Sequence, residues 1–322
     1  NEKIEFERNP LYWNDKETVI NSATFLAIEN PSTDVARYRA GDLDMTSYAL
    51  PPEQFAKLQK ELPGEVFTTR TLATYSYELN NKKAPFDNVN VRKALNLSLD
   101  RNVITDKVLG QGQTPTYVFT PTYIEEGQLI QQPAYSKEPM AQRNEEAIKL
   151  LEEAGYSKAN PLKFSILYNT NENHKKVAIA AASMWKANTK GLIDVKLENQ
   201  EWKTYIDSRR AGRYDAARAG WNADYNQATT FGNYFLSNSS NNTAKYANPE
   251  YDKAIAESYV ATDAEGRAKA YAKAEEILAK DFGIVPIFNY VNPRLVKPYV
   301  KGYSGKDPQD HIYLRNLYII KH

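Results

Sequence analysis

Between Ala147 and Ala219 the apolar residues switch repeatedly between a helical and an alternating period, and this switching restricts the chain to an α/β architecture. Ala147, Leu150, Leu151 and Ala154 recur at i, i+3, i+4 and i+7, which predicts a helix with Asn144 as its cap and Gly155 at its end. Phe164, Ile166 and Tyr168 alternate as a strand, and Val177, Ala181, Met184 and Trp185 return to the helical stripe. Val195 and Leu197 predict the next strand, a helix follows around Trp202, Tyr205 and Ile206, and Tyr214 to Ala219 predicts a short strand. The repeated alternation places a sheet beneath packed helices.

The flanking segments extend the pattern. Ile4 and Phe6 alternate with charges, as in a half-buried strand, and Val19, Ile20, Ala23, Phe25 and Ala27 predict another. A short helix from Asp34 ends at Gly41 in the C′ position, and a further strand is expected toward Leu50. Phe67 to Leu79, rich in Thr and Tyr, predicts a strand or strand pair, and Asp87 is the expected cap of a helix carrying Val91, Ala94 and Leu95 inward. Residues 110–142 lack periodicity and predict a long surface loop. Thr262 and Glu265 form a capping box for a helix running to about Lys280, with Tyr271, Ala274 and Leu278 as its core stripe. Phe282 to Val291 reads as a buried strand.

Length and composition exclude several functions. A chain of 322 residues is expected to form two packed units, and 42% hydrophobic with 25% charged residues is ordinary for a folded protein. With 41 basic against 40 acidic side chains, no net field draws it to nucleic acid or an anionic membrane. No stretch reaches the roughly 18 to 20 apolar residues that span a bilayer. Zero cysteines exclude disulfides, thiolate metal sites and a thiol nucleophile. The three histidines, His174, His311 and His322, have no metal-pair spacing, and no phosphate loop, nucleophile elbow or dinucleotide fingerprint occurs, so neither metal nor cofactor is expected. Asp42 and Asp44 read as a cap and a surface charge. The first residues contain neither an initiator Met nor a signal peptide, so a preceding segment of a longer protein is expected.

The most informative stretch runs from Ala216 to Asn226. Arg218 lies among small apolar residues at a predicted strand end, where an unpartnered guanidinium is costly, and Asp224 follows beyond a predicted Gly-Trp turn. Either the two charges pair with each other or with core groups, or they face a cleft and await a ligand carrying both charges. A peptide's ends supply both: an ammonium suits Asp224, and a carboxylate suits the planar fork of Arg218. His174 opens the helix of residues 174–188, where free amide donors favour an anion, although a lone histidine is also an ordinary surface residue. Trp185 belongs to a core stripe. Trp202 and Trp221 instead adjoin Gln200, Glu201 and Asn222, a setting in which a ring walls a pocket and leaves its N–H for a partner.

Four segments together resemble a known family. Arg37-Tyr38-Arg39-Ala40-Gly41-Asp42-Leu43-Asp44-Met45, Pro85-Phe86-Asp87-Asn88-Val89-Asn90-Val91-Arg92-Lys93-Ala94-Leu95, Tyr246-Ala247-Asn248-Pro249-Glu250-Tyr251-Asp252 and the Trp221 loop are similar to the peptide-binding branch of the ABC-transporter solute-binding proteins, its periplasmic oligopeptide receptors in particular. The resemblance covers the whole chain, to Leu295–Tyr299 and Gly305–Pro308 at its end. It implies a type II periplasmic-binding-protein-like α/β fold with mixed sheets packed by helices. Residues 1–72 would be part of lobe I, 73–291 a complete lobe III, and 292–322 the return to lobe I, with the first part of lobe I and all of lobe II missing.

The same resemblance implies a non-enzymatic, monomeric, periplasmic receptor that captures short peptides and delivers them to the membrane permease of an ABC transporter. Asp224 would receive the peptide's ammonium, Arg218 and His174 its carboxylate at different peptide lengths, and Trp202 and Trp221, with Asn222 beside them, would wall side-chain pockets. Reading backbone and termini alone would give breadth of choice. Some relatives carry a cysteine pair at positions matching Ala73 and Asn222; here both are absent, which leaves open how the Asp224 loop is held and implies that the two positions are neighbours. Two other readings are a receptor specialised for murein peptides or other cargo, and a hydrolase using carboxylates such as Glu201 and Asp224.

Overall fold

The computed structural model describes residues 2–47 and 49–321, so His322 lies outside the described residues. They form two compact units, one of residues 2–71, 109–112 and 291–321 and the other Leu72–Val108 with Gln113–Tyr290.

In the first unit, β1 (Lys3–Glu7) pairs antiparallel with β2 (Ser22–Leu26), bringing Phe6 and Phe25 edge to face at 5.6 Å. The expected half-buried strand is exposed along its whole length, with Ile4 at 57% and Phe6 at 49%, because β1 and β2 form a sheet of two strands. Helix α1 (Pro31–Ala40) starts on the Asn30 side chain, which accepts from the Ser32 N–H at 2.8 Å, and ends at Gly41, whose φ of 88° needs no side chain. The strand expected after Gly41 reduces to a single bridge, Met45 to Val296. Next to that bridge the Leu295 N–H goes to the Thr46 hydroxyl at 2.9 Å, and Asp34 takes the Ser47 N–H at 2.8 Å, so side chains occupy donors that a longer ladder would use. Helix α2 (Pro52–Glu61) completes a core of Val35, Tyr38, Leu50, Phe55, Leu58 and Leu295.

The second unit is built on a mixed sheet. Its elements, of which the first strand begins and the last ends outside it, include β3 (Val66–Leu79), α3 (Val89–Leu97), β4 (Thr114–Pro115), α4 (Met140–Glu153), β5 (Leu162–Asn169), α5 (Glu172–Asn188), β6 (Ile193–Gln200), α6 (Trp202–Arg210), β7 (Ala216–Asn222), α7 (Thr229–Gly232), α8 (Pro249–Val260), α9 (Ala264–Lys280) and β8 (Ile284–Leu295). Strand order is β4-β8-β3-β7-β5-β6, with β5 parallel to both β6 and β7, and β3 antiparallel to β7. Helix α5 makes the crossover that a parallel β5–β6 pair requires. Beyond this unit, β9 (Val300–Lys301) pairs with β10 (Tyr318–Ile319).

Helices cover both faces. Trp185 of α5 is fully buried against Phe164 and Tyr77, its indole N–H donating to the Leu95 carbonyl at 2.9 Å, as its stripe predicts. On the opposite face α7, α8 and α9 pack Phe231, Tyr251, Tyr271 and Leu278 around Phe119 and Tyr246.

Three caps differ from expectation. Asn88 rather than Asp87 accepts from the Asn90 N–H at 2.9 Å, and Asp263 rather than Thr262 accepts from Gly266 at 2.7 Å. In each pair it is the residue with extended backbone whose short side chain reaches into the first turn. Helix α4 starts at Met140 after Pro139 rather than at Asn144, because Arg143 is buried with its guanidinium 5.6 Å from the Tyr117 ring centroid, which packs the earlier turn.

Candidate functional site

The register of β3 against β7 organises the site. Asn80 and Ala223 donate to the carbonyls of Asp215 and Leu72, so the pairs Tyr77/Arg218, Tyr75/Gly220 and Ala73/Asn222 are the non-hydrogen-bonded ones, with side chains close together on one face. Ala217, Ala219 and Trp221 point to the other face. Strand β7 extends to Asn222, beyond the predicted end at Ala219, because its pairing with β3 continues through Trp221 and Asn222; the expected Gly-Trp turn is strand.

On the first face, Tyr75 gathers the cationic group. Its ring lies 5.1 Å from the Arg218 guanidinium carbon, 5.5 Å from the His174 ring and 4.7 Å from Phe288. Arg218 donates Nη2 to the Tyr290 hydroxyl and Nη1 to Asn169 Oδ1 at 3.5 Å, while its Nε has no partner. No carboxylate pairs with it among the described residues. A guanidinium carries five N–H donors, so these two hydrogen bonds leave this cation with donors to spare. Gly220 makes room for it, since a Cβ there would stand 2.8 Å from Arg218 Nη2.

His174 is the third residue of α5, and its backbone N–H already donates to the capping side chain of Asn171 at 3.1 Å. The free amide expected there is therefore used, and only the imidazole is available. Burial, reinforced by the charge of Arg218, holds that imidazole well below its usual pKa, so at neutral pH it is an uncharged ring.

On the second face, Trp221 packs edge-on against Tyr234 at 4.9 Å. Its indole N–H is not left for a ligand, as the sequence suggested, but donates to the Thr230 carbonyl at 3.0 Å, because α7 begins beneath it. Behind it, Tyr234 donates to Glu78 at 2.6 Å, and buried Glu78 pairs with Arg209 at 2.9 Å. Asp224 is exposed just beyond β7. Trp202 is 55% exposed and stacks on Tyr205, which packs with Ala217 and donates to the Arg218 carbonyl.

The loop bearing Asp224 is fastened without a disulfide. Asn226 accepts from the Glu125 N–H at 3.2 Å, Ala228 donates to the Glu125 carbonyl at 3.0 Å, and Gln227 donates to Glu126 at 2.7 Å. Glu126 is in turn held by Arg267 through Nε at 2.8 Å and Nη2 at 2.6 Å. Ala73 and Asn222 are direct cross-strand partners, the neighbourhood that the resemblance implied.

The family described as bacterial extracellular solute-binding proteins, family 5 Middle, matches residues 1–243. The chain belongs to that family. This family 5 solute-binding protein is 97% identical over 322 residues to the periplasmic oligopeptide-binding protein OppA of Haemophilus influenzae, covering all of this chain and 60% of that one. The crystal structure of Haemophilus influenzae OppA in complex with RPPGFSPFR matches with a TM-score of 0.96 and 96% identity over all of this chain and 63% of that one. The Escherichia coli murein tripeptide binding protein MppA matches with a TM-score of 0.94 and 43% identity, over 100% and 62% of the two chains. The chain thus spans about 60% of the length of the curated relatives it matches. Its α/β fold of mixed sheets packed by helices, expected from the sequence, is the fold it shares with the OppA-type periplasmic binding proteins.

Of the candidate residues in this family 5 protein, the structure joins His174 and Arg218 through Tyr75, and Trp221 and Asp224 through Thr230. The Arg218 and Trp221 side chains lie on opposite faces of β7, and Asp224 stands just beyond the end of the strand. Asn222 is exposed and shares the Arg218 face. Sequence reasoning missed Tyr75, Tyr290, Thr230 and Glu126. Tyr75 had a usable signal: two residues from Ala73 on a predicted strand, it must share that residue's face.

Proposed function

We propose that the protein is a non-catalytic, monomeric receptor of the periplasm that captures short peptides by their charged ends and passes them to the permease of an ABC importer. Asp224 takes the ammonium and Arg218 the carboxylate, His174 adds a neutral hydrogen-bonding ring beside Arg218, and Trp202, Trp221 and Asn222 border side-chain space. The observation that carries this reading is the setting of Arg218, a half-buried guanidinium whose partners are a phenol, a carboxamide and an aromatic face. A ligand carboxylate supplies the missing anion in the bidentate geometry the fork prefers. The likeness to a protein solved with a bound peptide supports it. In the complete protein, calorimetry with tri-alanine and its C-terminal amide is expected to show a preference of at least about tenfold for the free carboxylate, removed by Arg218→Met. Equal binding of the two peptides by the unaltered protein would sink the assignment.

A specialised cargo is the second reading, favoured by the match to a murein tripeptide binding protein; competition between tri-alanine and a murein tripeptide for one site discriminates. Hydrolysis by Glu201 and Asp224 has less support, since Glu201 caps α6 by accepting from the Lys203 N–H at 2.9 Å. Recovery of an intact tetrapeptide after incubation is the expected result, and cleaved products would revive that reading.

A further inference from the structure

Asp224 stands on an exposed turn, yet its carboxylate is tied to a buried hydroxyl. Three groups converge on Oγ1 of Thr230, a residue only 4% exposed. The Trp221 indole N–H approaches it at 3.3 Å, the Asp224 backbone N–H at 3.2 Å, and Asp224 Oδ2 lies 3.2 Å away. A hydroxyl has one proton and two lone pairs. The two N–H groups can only donate, so they engage the lone pairs, and the proton goes to the carboxylate.

We propose that Thr230 is a positioning residue that clamps Asp224 Oδ2 and thereby presents Oδ1 to the ammonium of a peptide ligand; this rests on reading Asp224 as the ammonium anchor. The clamp has a second consequence. Because the Trp221 ring and the Asp224 carboxylate share one oxygen, the aromatic wall and the charged anchor keep a fixed relation. Without it, the exposed carboxylate would have to give up rotamer freedom on every binding event. Serine keeps this wiring, whereas valine copies the shape and lacks the proton.

The test is calorimetric titration of tri-alanine and N-acetyl-tri-alanine into the complete protein and its variants. The unaltered protein is expected to prefer the free amine. Thr230→Val should lose about tenfold of that preference while binding the acetylated peptide as before, and Thr230→Ser should stay within about twofold of the unaltered protein. Thr230→Ala, which adds no methyl against the indole, should repeat the valine result. If Thr230→Val and Thr230→Ala weaken both peptides equally, or leave the preference intact, the clamp is overturned and Asp224 remains the anchor. If the unaltered protein shows no preference for the amine, anchor and clamp fall together.

Discussion

At the scale of single residues, two positions on the Tyr75 face, Gly220 and His174, carry testable consequences. Gly220 is the simpler: its φ lies outside the left-handed region, so alanine fits the backbone, but the added Cβ would meet Arg218 Nη2 at 2.8 Å and the Tyr290 hydroxyl at 3.1 Å. The guanidinium must then leave its place. Removing a strand glycine offsets this with about 0.5 to 1 kcal/mol of backbone entropy. Gly220→Ala is therefore expected to keep or raise Tm while cutting the preference for a peptide carboxylate over its amide about tenfold. An alanine variant with undiminished preference would show that Arg218 does not depend on the space above Gly220. His174 carries a pH dependence. Its pKa is depressed in the folded state, so below about pH 6.5, the ordinary value, the unfolded chain binds the proton first and stability falls as pH falls toward the folded pKa. The slope from this one group is at most about 1.4 kcal/mol per pH unit. Urea midpoints at pH 7.5 and 5.5 should separate less in His174→Gln than in the unaltered protein; an identical separation would mean that the ring titrates freely.

At the scale of elements, the β3–β7 ladder decides what the sequence could and could not disclose. Ala73 and Asn222 form a non-hydrogen-bonded pair, for which Cα atoms stand about 4.5 Å apart, inside the range a disulfide spans. The double variant Ala73→Cys, Asn222→Cys should oxidise spontaneously and raise stability by about 2 to 4 kcal/mol, measured as the difference in urea unfolding with and without reductant. Failure to cross-link would contradict this register. The register also explains the errors of sequence reading. The end of β7 was misplaced because Gly220-Trp221 looks like a turn locally, and only its partner strand, more than a hundred residues away, keeps it extended. Helix starts slipped by one residue where two neighbours can both cap, as with Asp87 and Asn88, since backbone angles decide between them. The amphipathic helices, the long β3 and the buried β8 were legible because apolar spacing alone specifies them. Of the site, the charged and aromatic candidates were visible as residue types in improbable settings. Thr230, Tyr290 and Glu126 were not, because their roles come from atoms brought together by folding.

At the scale of the whole molecule, the exposure of Asp224 limits what this length of chain can do. Micromolar binding of a peptide requires about 8 kcal/mol, whereas an ion pair formed in water contributes about 0 to 1 kcal/mol. The carboxylate presented here is solvent-facing. A pair made there leaves most of that free energy to be found elsewhere, even before the ligand's lost freedom is counted. With a net charge of +1, the chain has no long-range field to compensate. About two-fifths of the length of the curated relative lies outside the region matched here, and in our proposal that added length encloses the ligand, desolvating both ends and pairing its backbone groups. The 322-residue chain by itself is therefore expected to bind tri-alanine no tighter than millimolar, at least about a hundredfold weaker than the complete protein. Asp224→Ala should accordingly cost the complete protein more than about 1.4 kcal/mol of binding free energy and leave the weak binding of the shorter chain almost unchanged. Parallel calorimetric titrations check both statements. Equal affinities would mean that the residues of β7 and the loop after it suffice to hold a peptide, and that enclosure contributes nothing to it.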